Sequence, residues 1–169
     1  MGNSFTKLLS KAIKCKLNLR IVMVGLDSSG KTCLLQYLSG STQDNINTPT
    51  IGFNVNTVSI NKKLNIILWD LGGQASLRST WNMFINDISG IIYVIDSCDH
   101  NRFELAKNEL IMLLEEPKIQ TVPVIILANK QDLKYAITVE RLKNYLNLYE
   151  ENCFKNRSWD ACAISALTG

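Results

Sequence analysis

GLDSSGKT, residues 25–32, decides the fold of this chain. The stretch matches the pattern G-x-x-x-x-G-K-[ST], whose glycines let backbone N–H groups converge on a phosphate. LRIVMVG (19–25) before it has the composition of a buried strand, and KTCLLQYL (31–38) after it predicts a helix. A helix start adds free N–H groups and a favourable dipole. We therefore predict a phosphate-binding loop; the alternative is a plain glycine turn.

The residues of this loop have separate expected tasks. Lys31 would reach the outer phosphates, and Thr32 would ligate Mg²⁺. The other predicted binding residues in this stretch are Gly25, Asp27, Ser28, Ser29, Gly30 and Cys33. Asp27 places a carboxylate in the rim of a site built for anions, and this requires an explanation.

Short apolar runs alternate with helical patterns along the rest of the chain. Strands are predicted at 19–25, 53–60, 64–70, 90–96, 122–129 and 159–165, and helices at 31–38, 102–116 and 139–148. The turn NKK joins the second and third strands into a hairpin. We predict a three-layer α/β fold with a mostly parallel, six-stranded sheet and one antiparallel edge strand. Ligands of such sheets bind outside the carboxyl ends of the strands.

Asn129-Lys130-Gln131-Asp132 (NKQD) follows one of these strand ends. The Asp132 carboxylate can accept two N–H bonds from guanine, and adenine offers no such pair. A site that leaves a buried polar group unpaired with the wrong base discriminates strongly. Ser165-Ala166 closes the last strand and could touch the base from the other side. The alternative is an ordinary polar loop.

Asp70-Leu71-Gly72-Gly73-Gln74 (DLGGQ) follows another strand end. The Asp70 carboxylate can hold Mg²⁺ through water, Gly73 can offer its N–H to a γ-phosphate, and Gln74 can orient the attacking water. Thr50 lies between the first helix and the second strand, where a loop could close over the metal. The alternative here is a tight glycine turn.

Composition limits the class of protein. The 169 residues include five cysteines, an odd number without a C-x-x-C pair, which favours the reducing cytoplasm. Residues 1–20 contain five basic residues and no acid, leaving 13 basic and 15 acidic residues elsewhere. A nucleic-acid binder would more often have a basic folded surface. A basic terminal segment suits an anionic membrane instead.

Taken together, GLDSSGKT, PTIGFNV, WDLGGQ, NKQD and the initial Met-Gly resemble the ADP-ribosylation factor (Arf and Arf-like) family of small GTPases. ASLRSTW (75–81) is more similar to the Arf-like members. The resemblance implies a GDP/GTP switch in vesicle trafficking that hydrolyses GTP slowly and recruits effectors to membranes. It implies a monomer with an exchange factor and an activating protein as partners, at the cytoplasmic face of membranes such as the Golgi.

The resemblance also assigns roles to single residues. Thr50 would be the second Mg²⁺ ligand beside Thr32, and Gln74 would be catalytic. Effectors would bind an aromatic patch of Phe53, Trp69 and Phe84, for which core packing is the alternative. Asp27 is the family's usual residue beside the γ-phosphate. We expect it to slow unaided hydrolysis; a backbone-bonding turn is its alternative role.

The N-terminus matches the myristoylation pattern, with Gly2 as the acceptor. After it, apolar residues fall on one helical face and lysines largely on the other. We therefore predict a membrane-binding helix in residues 1–18 and a GTPase domain in 19–169. The alternative for this helix is packing on its own domain, and the resemblance implies that each occurs in one nucleotide state.

The chain ends at Gly169, just after SALTG, so we expect it to lack the family's C-terminal helix. A different class of function also stays open, a nucleotide-dependent membrane scaffold with negligible turnover. Asp27 and the absence of an evident arginine finger in the sequence leave room for it, whereas Gln74 and the intact NKQD favour a hydrolase.

Overall fold

The computed structural model describes residues 17–40, 50–61 and 64–169. The strands of its sheet are β1 Leu17–Val24, β2 Phe53–Asn61, β3 Leu64–Leu71, β4 Gly90–Asp96, β5 Val124–Asn129 and β6 Trp159–Ala163. They lie in the order β2-β3-β1-β4-β5-β6. The edge strand β2 pairs antiparallel with β3, and all other neighbours are parallel. The predicted sheet, its antiparallel edge and the hairpin are confirmed.

Helices cover both faces of this sheet. They are α1 Lys31–Ser39, α2 Ala75–Arg78, α3 Phe103–Leu114, α4 Val139–Tyr145 and α5 Asn152–Lys155, with 3₁₀ turns at Trp81–Met83, His100–Arg102 and Pro117–Ile119. The first helix packs on one face through Leu34 and Leu35, and α3 packs on the other through Leu110 and its neighbours. The three-layer architecture is therefore confirmed.

The strand β1 shows how the sequence divides the core between these faces. Its side chains alternate, as a strand requires. Val22 and Val24 point into the core that α3 covers, while Ile21 and Met23 point into the core that α1 covers. A run that is apolar at every position is therefore buried on both sides, which is typical of a central parallel strand.

Several boundaries differ from those predicted. The strand β1 begins at Leu17, two residues before its predicted start, and α4 ends at Tyr145 instead of residue 148. The helix cannot continue because Asn147 adopts a positive φ of 54°. The last strand ends at Ala163, and the described chain beyond it forms a turn without a further helix, closed by Gly169 N–H on the Ser165 carbonyl. Of the predicted N-terminal helix, residues 1–16, with Gly2, lie outside the described residues, and residues 17–18 belong to β1 instead.

The register of the sheet brings the predicted motifs to one edge. Met23 pairs with Asp70 across β1 and β3, and Asp96 pairs with Asn129 across β4 and β5. β1 and β3 end together, as do β4 and β5, which continue further in the same direction, so the loops that follow all four strands lie at one edge of the sheet. Within the described ranges, none of the helices has both the length and the apolar character needed to cross a membrane.

Candidate functional site

The phosphate-binding loop connects β1 to α1 and is organised by Lys31. This side chain is only 5% exposed, and its ammonium donates to the carbonyls of Gly25 at 3.0 Å and Leu26 at 2.9 Å. Burial lowers its pKa to about 8, against the charges of Asp70 and Asp27, which raise it. Lys31 is therefore mostly protonated at neutral pH and lies as a cation under the loop.

Two glycines of the loop are required by their surroundings. Gly25 has a φ of 144°, and a side chain there would overlap the carbonyl of Val94. Gly30 has a φ of 92°, and a side chain there would overlap the amide of Asn129. These φ values strain any other residue. The loop is therefore more than a plain glycine turn, because its backbone is pressed against two neighbouring strands.

Three oxygen-bearing side chains meet beside the loop. Thr32 donates its hydroxyl hydrogen to Asp70 Oδ2 at 2.7 Å, and its own Oγ1 lies 2.9 Å from Thr50 Oγ1. Asp70 is fully buried, and its Oδ1 has no hydrogen-bond partner among the described residues. Burial raises the pKa of Asp70, against the hydrogen bond from Thr32 and the charge of Lys31.

This group of oxygens fits the predicted Mg²⁺ site. Hydroxyl and carboxylate oxygens are the ligands that this cation prefers. An unpaired buried polar atom costs roughly 1–3 kcal/mol, so the free oxygen of Asp70 indicates a place that a water of the metal would complete. Thr32 and Thr50 are the residues that would bind the metal directly.

The DLGGQ segment lies directly against the phosphate-binding loop. The carbonyl of Gly73 accepts the N–H of Asp27 at 3.1 Å, and a side chain on Gly73 would overlap the loop backbone at Gly25 and Asp27. Gln74 follows as the N-cap of α2, where its carbonyl accepts the N–H of Leu77 at 2.9 Å. The half-buried side chain of Gln74 and the side chain of Thr32 line one cavity.

Asn129 of NKQD connects the phosphate and base parts of the site. It is 1% exposed; its Nδ2 donates to the Ser29 carbonyl at 2.7 Å, and its Oδ1 accepts the N–H of Ala166 at 2.9 Å. Cys33 approaches the same place from α1, with its thiol 3.3 Å from the Ala166 carbonyl. Both ends of the Asn129 amide are thus engaged with the protein. Ser165 is buried and caps the following turn by accepting the N–H of Thr168.

The remainder of NKQD is held by the end of β4. Lys130 has a positive φ of 66°, and its ammonium forms an ion pair with Asp96 at 2.6 Å. Gln131 donates to the hydroxyl of Ser97 at 2.7 Å. These contacts leave Asp132 exposed at the wall of the cavity. The segment is therefore more than an ordinary polar loop, because Asn129, Lys130 and Gln131 each have a separate structural task and Asp132 is left at the cavity wall.

One cavity of about 530 Å³ joins these groups. It is lined by the predicted residues Asp27, Ser28, Gly30, Lys31, Thr32, Cys33, Thr50, Gly73, Gln74, Asn129, Lys130, Asp132 and Ala166. Sequence reasoning missed two further lining residues, Leu133 and Leu167, which directly follow NKQD and Ser165-Ala166. Each leucine directly follows a predicted base contact, and this position in the sequence could have indicated that it lines the site. Apolar side chains at that end suit the faces of a base.

The structure explains why Asp27 can lie in this rim. Its carboxylate forms ion pairs with Arg102 at 3.0 Å and Arg78 at 3.4 Å. Burial raises the pKa of Asp27, but the hydrogen bond and charge of Arg102, together with the charge of Arg78, outweigh it and hold the pKa below its ordinary value. The negative charge is therefore balanced by two guanidinium groups. Neither arginine was singled out from the sequence.

The three aromatic residues predicted as an effector patch are in mutual contact. Their ring centroids are 5.0 to 5.7 Å apart, and Phe53 is 48% exposed while Trp69 and Phe84 are half-buried against the core. The guanidinium of Arg20 lies 4.6 Å from the Trp69 ring centroid. The cluster therefore combines core packing, through Trp69 and Phe84, with an exposed aromatic surface at Phe53.

Comparison with known proteins identifies the family of this chain. The model of the ADP-ribosylation factor family matches residues 5–169. The chain is 41% identical to ADP-ribosylation factor-like protein 1 of Saccharomyces cerevisiae over 170 residues, covering all of this chain and 90% of the relative. It is 43% identical to ADP-ribosylation factor-like protein 3 of Caenorhabditis elegans, covering 88% of this chain and 79% of the relative.

A solved structure agrees with these sequence relatives. The Arl6 BBS3 small GTPase of Trypanosoma brucei, bound to the nucleotide analogue GppNp, superimposes with a TM-score of 0.82 at 29% identity over 90% of each chain. The phosphate-binding loop, the oxygens suited to Mg²⁺ and NKQD all lie on one cavity, as the fold of this neighbour leads one to expect. This chain belongs to the ADP-ribosylation factor family, as an Arf-like small GTPase that binds GTP and GDP with Mg²⁺ and hydrolyses GTP.

Proposed function

We propose that this GTPase is a membrane-recruitment switch that hydrolyses GTP slowly until an activating protein assists it. The observation that supports the proposal is the meeting of Thr32, Thr50 and Asp70 at one point. Thr32 belongs to α1, Thr50 precedes β2, and Asp70 is near the end of β3. A ligand bound at this point would therefore hold both ends of the β2–β3 hairpin, and its departure would release both ends.

The hydrolytic roles follow from the positions of the side chains. Lys31, under the loop, would neutralise the outer phosphates, and bound Mg²⁺ would supply further positive charge there. The N–H of Gly73 would contact the γ-phosphate, since this residue already touches the loop. Gln74 would orient the attacking water from the cavity wall. These assignments divide the reaction between charge neutralisation and positioning, as phosphoryl transfer requires.

Slow unaided hydrolysis is supported by the arginines at the rim. In the described structure, Arg78 and Arg102 are both paired with Asp27 instead of being free to approach a phosphate. An arginine finger contributes roughly 10³–10⁵ in rate, so an activating protein would supply a large part of the catalysis. The same pairing favours the second candidate, a membrane scaffold with negligible turnover. Single-turnover hydrolysis with and without an activator separates the two, because only the switch accelerates.

Effectors and the membrane would be bound by different parts of the chain. Effectors would read the aromatic patch of Phe53, Trp69 and Phe84, whose exposed member belongs to the hairpin itself. The N-terminal segment, with a myristoyl group on Gly2 and its basic helix, would attach the protein to an anionic membrane, with the Golgi as the expected location. The sequence pattern supports this part of the proposal.

The water-orienting role is tested by Gln74→Leu. We expect hydrolysis stimulated by a family activating protein to fall at least about a hundredfold, the usual contribution of a positioned group, while GTP affinity stays unchanged. Gln120→Leu is the matched control, because Gln120 is exposed and lies outside the cavity. Stimulated hydrolysis at the native rate in Gln74→Leu would remove Gln74 from the mechanism.

A further inference from the structure

The side chain of Arg78 connects three parts of the molecule. It lies at the end of α2 and is only 10% exposed. Its Nε donates to the Gly73 carbonyl at 2.9 Å, one terminal nitrogen to Glu109 at 3.1 Å, and the other to Asp27 at 3.4 Å. A planar guanidinium can make these three contacts at fixed angles, and a lysine ammonium cannot reproduce that fork.

The Gly73 contact acts on the residue that follows. The Gly73 carbonyl belongs to the same peptide unit as the N–H of Gln74, so fixing the carbonyl fixes the orientation of that unit. The carbonyl also accepts the N–H of Asp27 at 3.1 Å. Two donors, one from the phosphate-binding loop and one from Arg78, therefore hold this peptide in place from different sides.

Glu109 anchors the arginine from a rigid element. It is in the middle of α3, a twelve-residue helix whose inner face is part of the core, and its side chain is 20% exposed. Asp27 is 39% exposed and also pairs with Arg102, so its attraction to Arg78 is shared and more screened by solvent. Glu109 is thus the stronger candidate for fixing the position of the guanidinium.

We propose that Arg78, held by Glu109, is a positioning residue for GTP hydrolysis. It holds the carbonyl of Gly73 against the phosphate-binding loop, which restricts the rotation of Gly73, so that the N–H of Gly73 on the preceding peptide unit can contact the γ-phosphate and Gln74 can face the attacking water. The proposal rests on the roles proposed above for these two residues. It predicts that removing the arginine affects the GTP-bound state selectively, because GDP has no γ-phosphate for Gly73 to contact.

The test compares Arg78→Ala and Glu109→Ala with the matched control Glu104→Ala, an exposed glutamate on the same helix. Two quantities are measured: the single-turnover hydrolysis rate of preloaded GTP, and the ratio of the dissociation constants for a non-hydrolysable GTP analogue and for GDP. We expect a roughly tenfold slower rate and a roughly tenfold shift of the ratio against the analogue, the order of one charge-assisted hydrogen bond. GDP affinity and the control variant should remain native.

Glu109→Gln adds a conservative variant, because its amide oxygen can still accept from Arg78 and should recover most of the loss. Equal weakening of both nucleotides in Arg78→Ala would mean a general structural role and would overturn the proposal, as would native values of rate and ratio. If Gln74→Leu is fully active but the ratio still shifts in Arg78→Ala, the role of Gln74 fails while the positioning of Gly73 stands.

Discussion

The carboxylate of Asp27 contributes to the folded state through charge, and this contribution depends on pH. The arginines beside it hold its folded-state pKa below the ordinary value of 3.8. A depressed pKa of an acid adds stability that is fully present above the unfolded pKa and is lost as the pH falls through the folded pKa. The contribution is therefore complete at pH 7 and disappears in acid below about pH 4.

Asp27→Asn should consequently be less stable than the native protein at pH 7, by up to about 1 kcal/mol, since the side chain is 39% exposed and solvent screens the pair. The difference should shrink as the pH falls below about 4, because protonation removes the charge of Asp27. Urea unfolding at several pH values measures it. A difference that is constant from pH 7 to pH 2 would contradict a contribution from charge.

Base selection is predicted to depend on Asp132. Asp132→Asn replaces an acceptor with a donor. Its affinity for guanine nucleotides should therefore fall by roughly 10²-fold or more, the order seen when a polar group of a binding site meets the wrong partner. Affinity for xanthine nucleotides should rise, because xanthine presents an acceptor where guanine has its exocyclic amine. Competition between GDP and XDP measures the exchange. The assignment fails if native protein binds ATP as tightly as GTP.

Among the elements, the end of β3 and the phosphate-binding loop can touch only because Gly73 has no side chain. A methyl group there would overlap Gly25 and Asp27. Overpacking costs roughly 1–3 kcal/mol, which corresponds to about a tenfold to hundredfold loss of affinity. We expect Gly73→Ala to lose that much affinity for a non-hydrolysable GTP analogue, while GDP affinity stays native.

Isothermal titration with each nucleotide measures this effect. Gly40→Ala is the control for a glycine-to-alanine change without a contact, because its methyl group would meet nothing within 4 Å; unlike Gly73, Gly40 has a positive φ, of 64°. A similar loss in Gly40→Ala, where the added methyl group has no contact, would show that the loss does not come from the contact between these two elements.

Elements with a strong local pattern were predictable from the sequence, and contacts across long separations were not. The continuous apolar runs gave the buried strands, and the loop motif gave the β1–α1 connection. The pattern could not give the end of α4, where Asn147 turns into a left-handed conformation. It also could not give the group of Asp27, Arg78, Arg102 and Glu109, since no spacing along the chain relates a loop residue to partners 51 and 75 positions away.

For the whole molecule, nucleotide state and membrane attachment should be linked through the hairpin. In the described structure, Thr50 meets Thr32 and Gly73 meets the loop, so both ends of the hairpin are drawn to the phosphate site. In the GDP state, we expect the hairpin to be shifted by two residues, because a one-residue slip would turn every side chain to the wrong face. The predicted N-terminal helix would then dock beside the hairpin, where the apolar face of the helix would be hidden.

Liposome flotation of the myristoylated protein measures this link. We expect flotation with a non-hydrolysable GTP analogue and little flotation with GDP. Gly2→Ala should reduce flotation in both states, since one acyl chain provides a partition constant of about 10⁴ M⁻¹ and the basic helix the remainder. Equal flotation in the two nucleotide states would exclude the link, and undiminished flotation of Gly2→Ala would exclude the acyl anchor.

The bridge made by Asn129 has a consequence for how nucleotide leaves the site. One amide group holds the backbone of the phosphate-binding loop at Ser29 and the backbone of the base loop at Ala166. The two halves of the nucleotide site are therefore linked through this amide, in addition to the contact between the Cys33 thiol and the Ala166 carbonyl. A displacement of Ser29 would disturb the amide that also holds Ala166, so we expect a protein that promotes exchange at the phosphate half to loosen the base half as well.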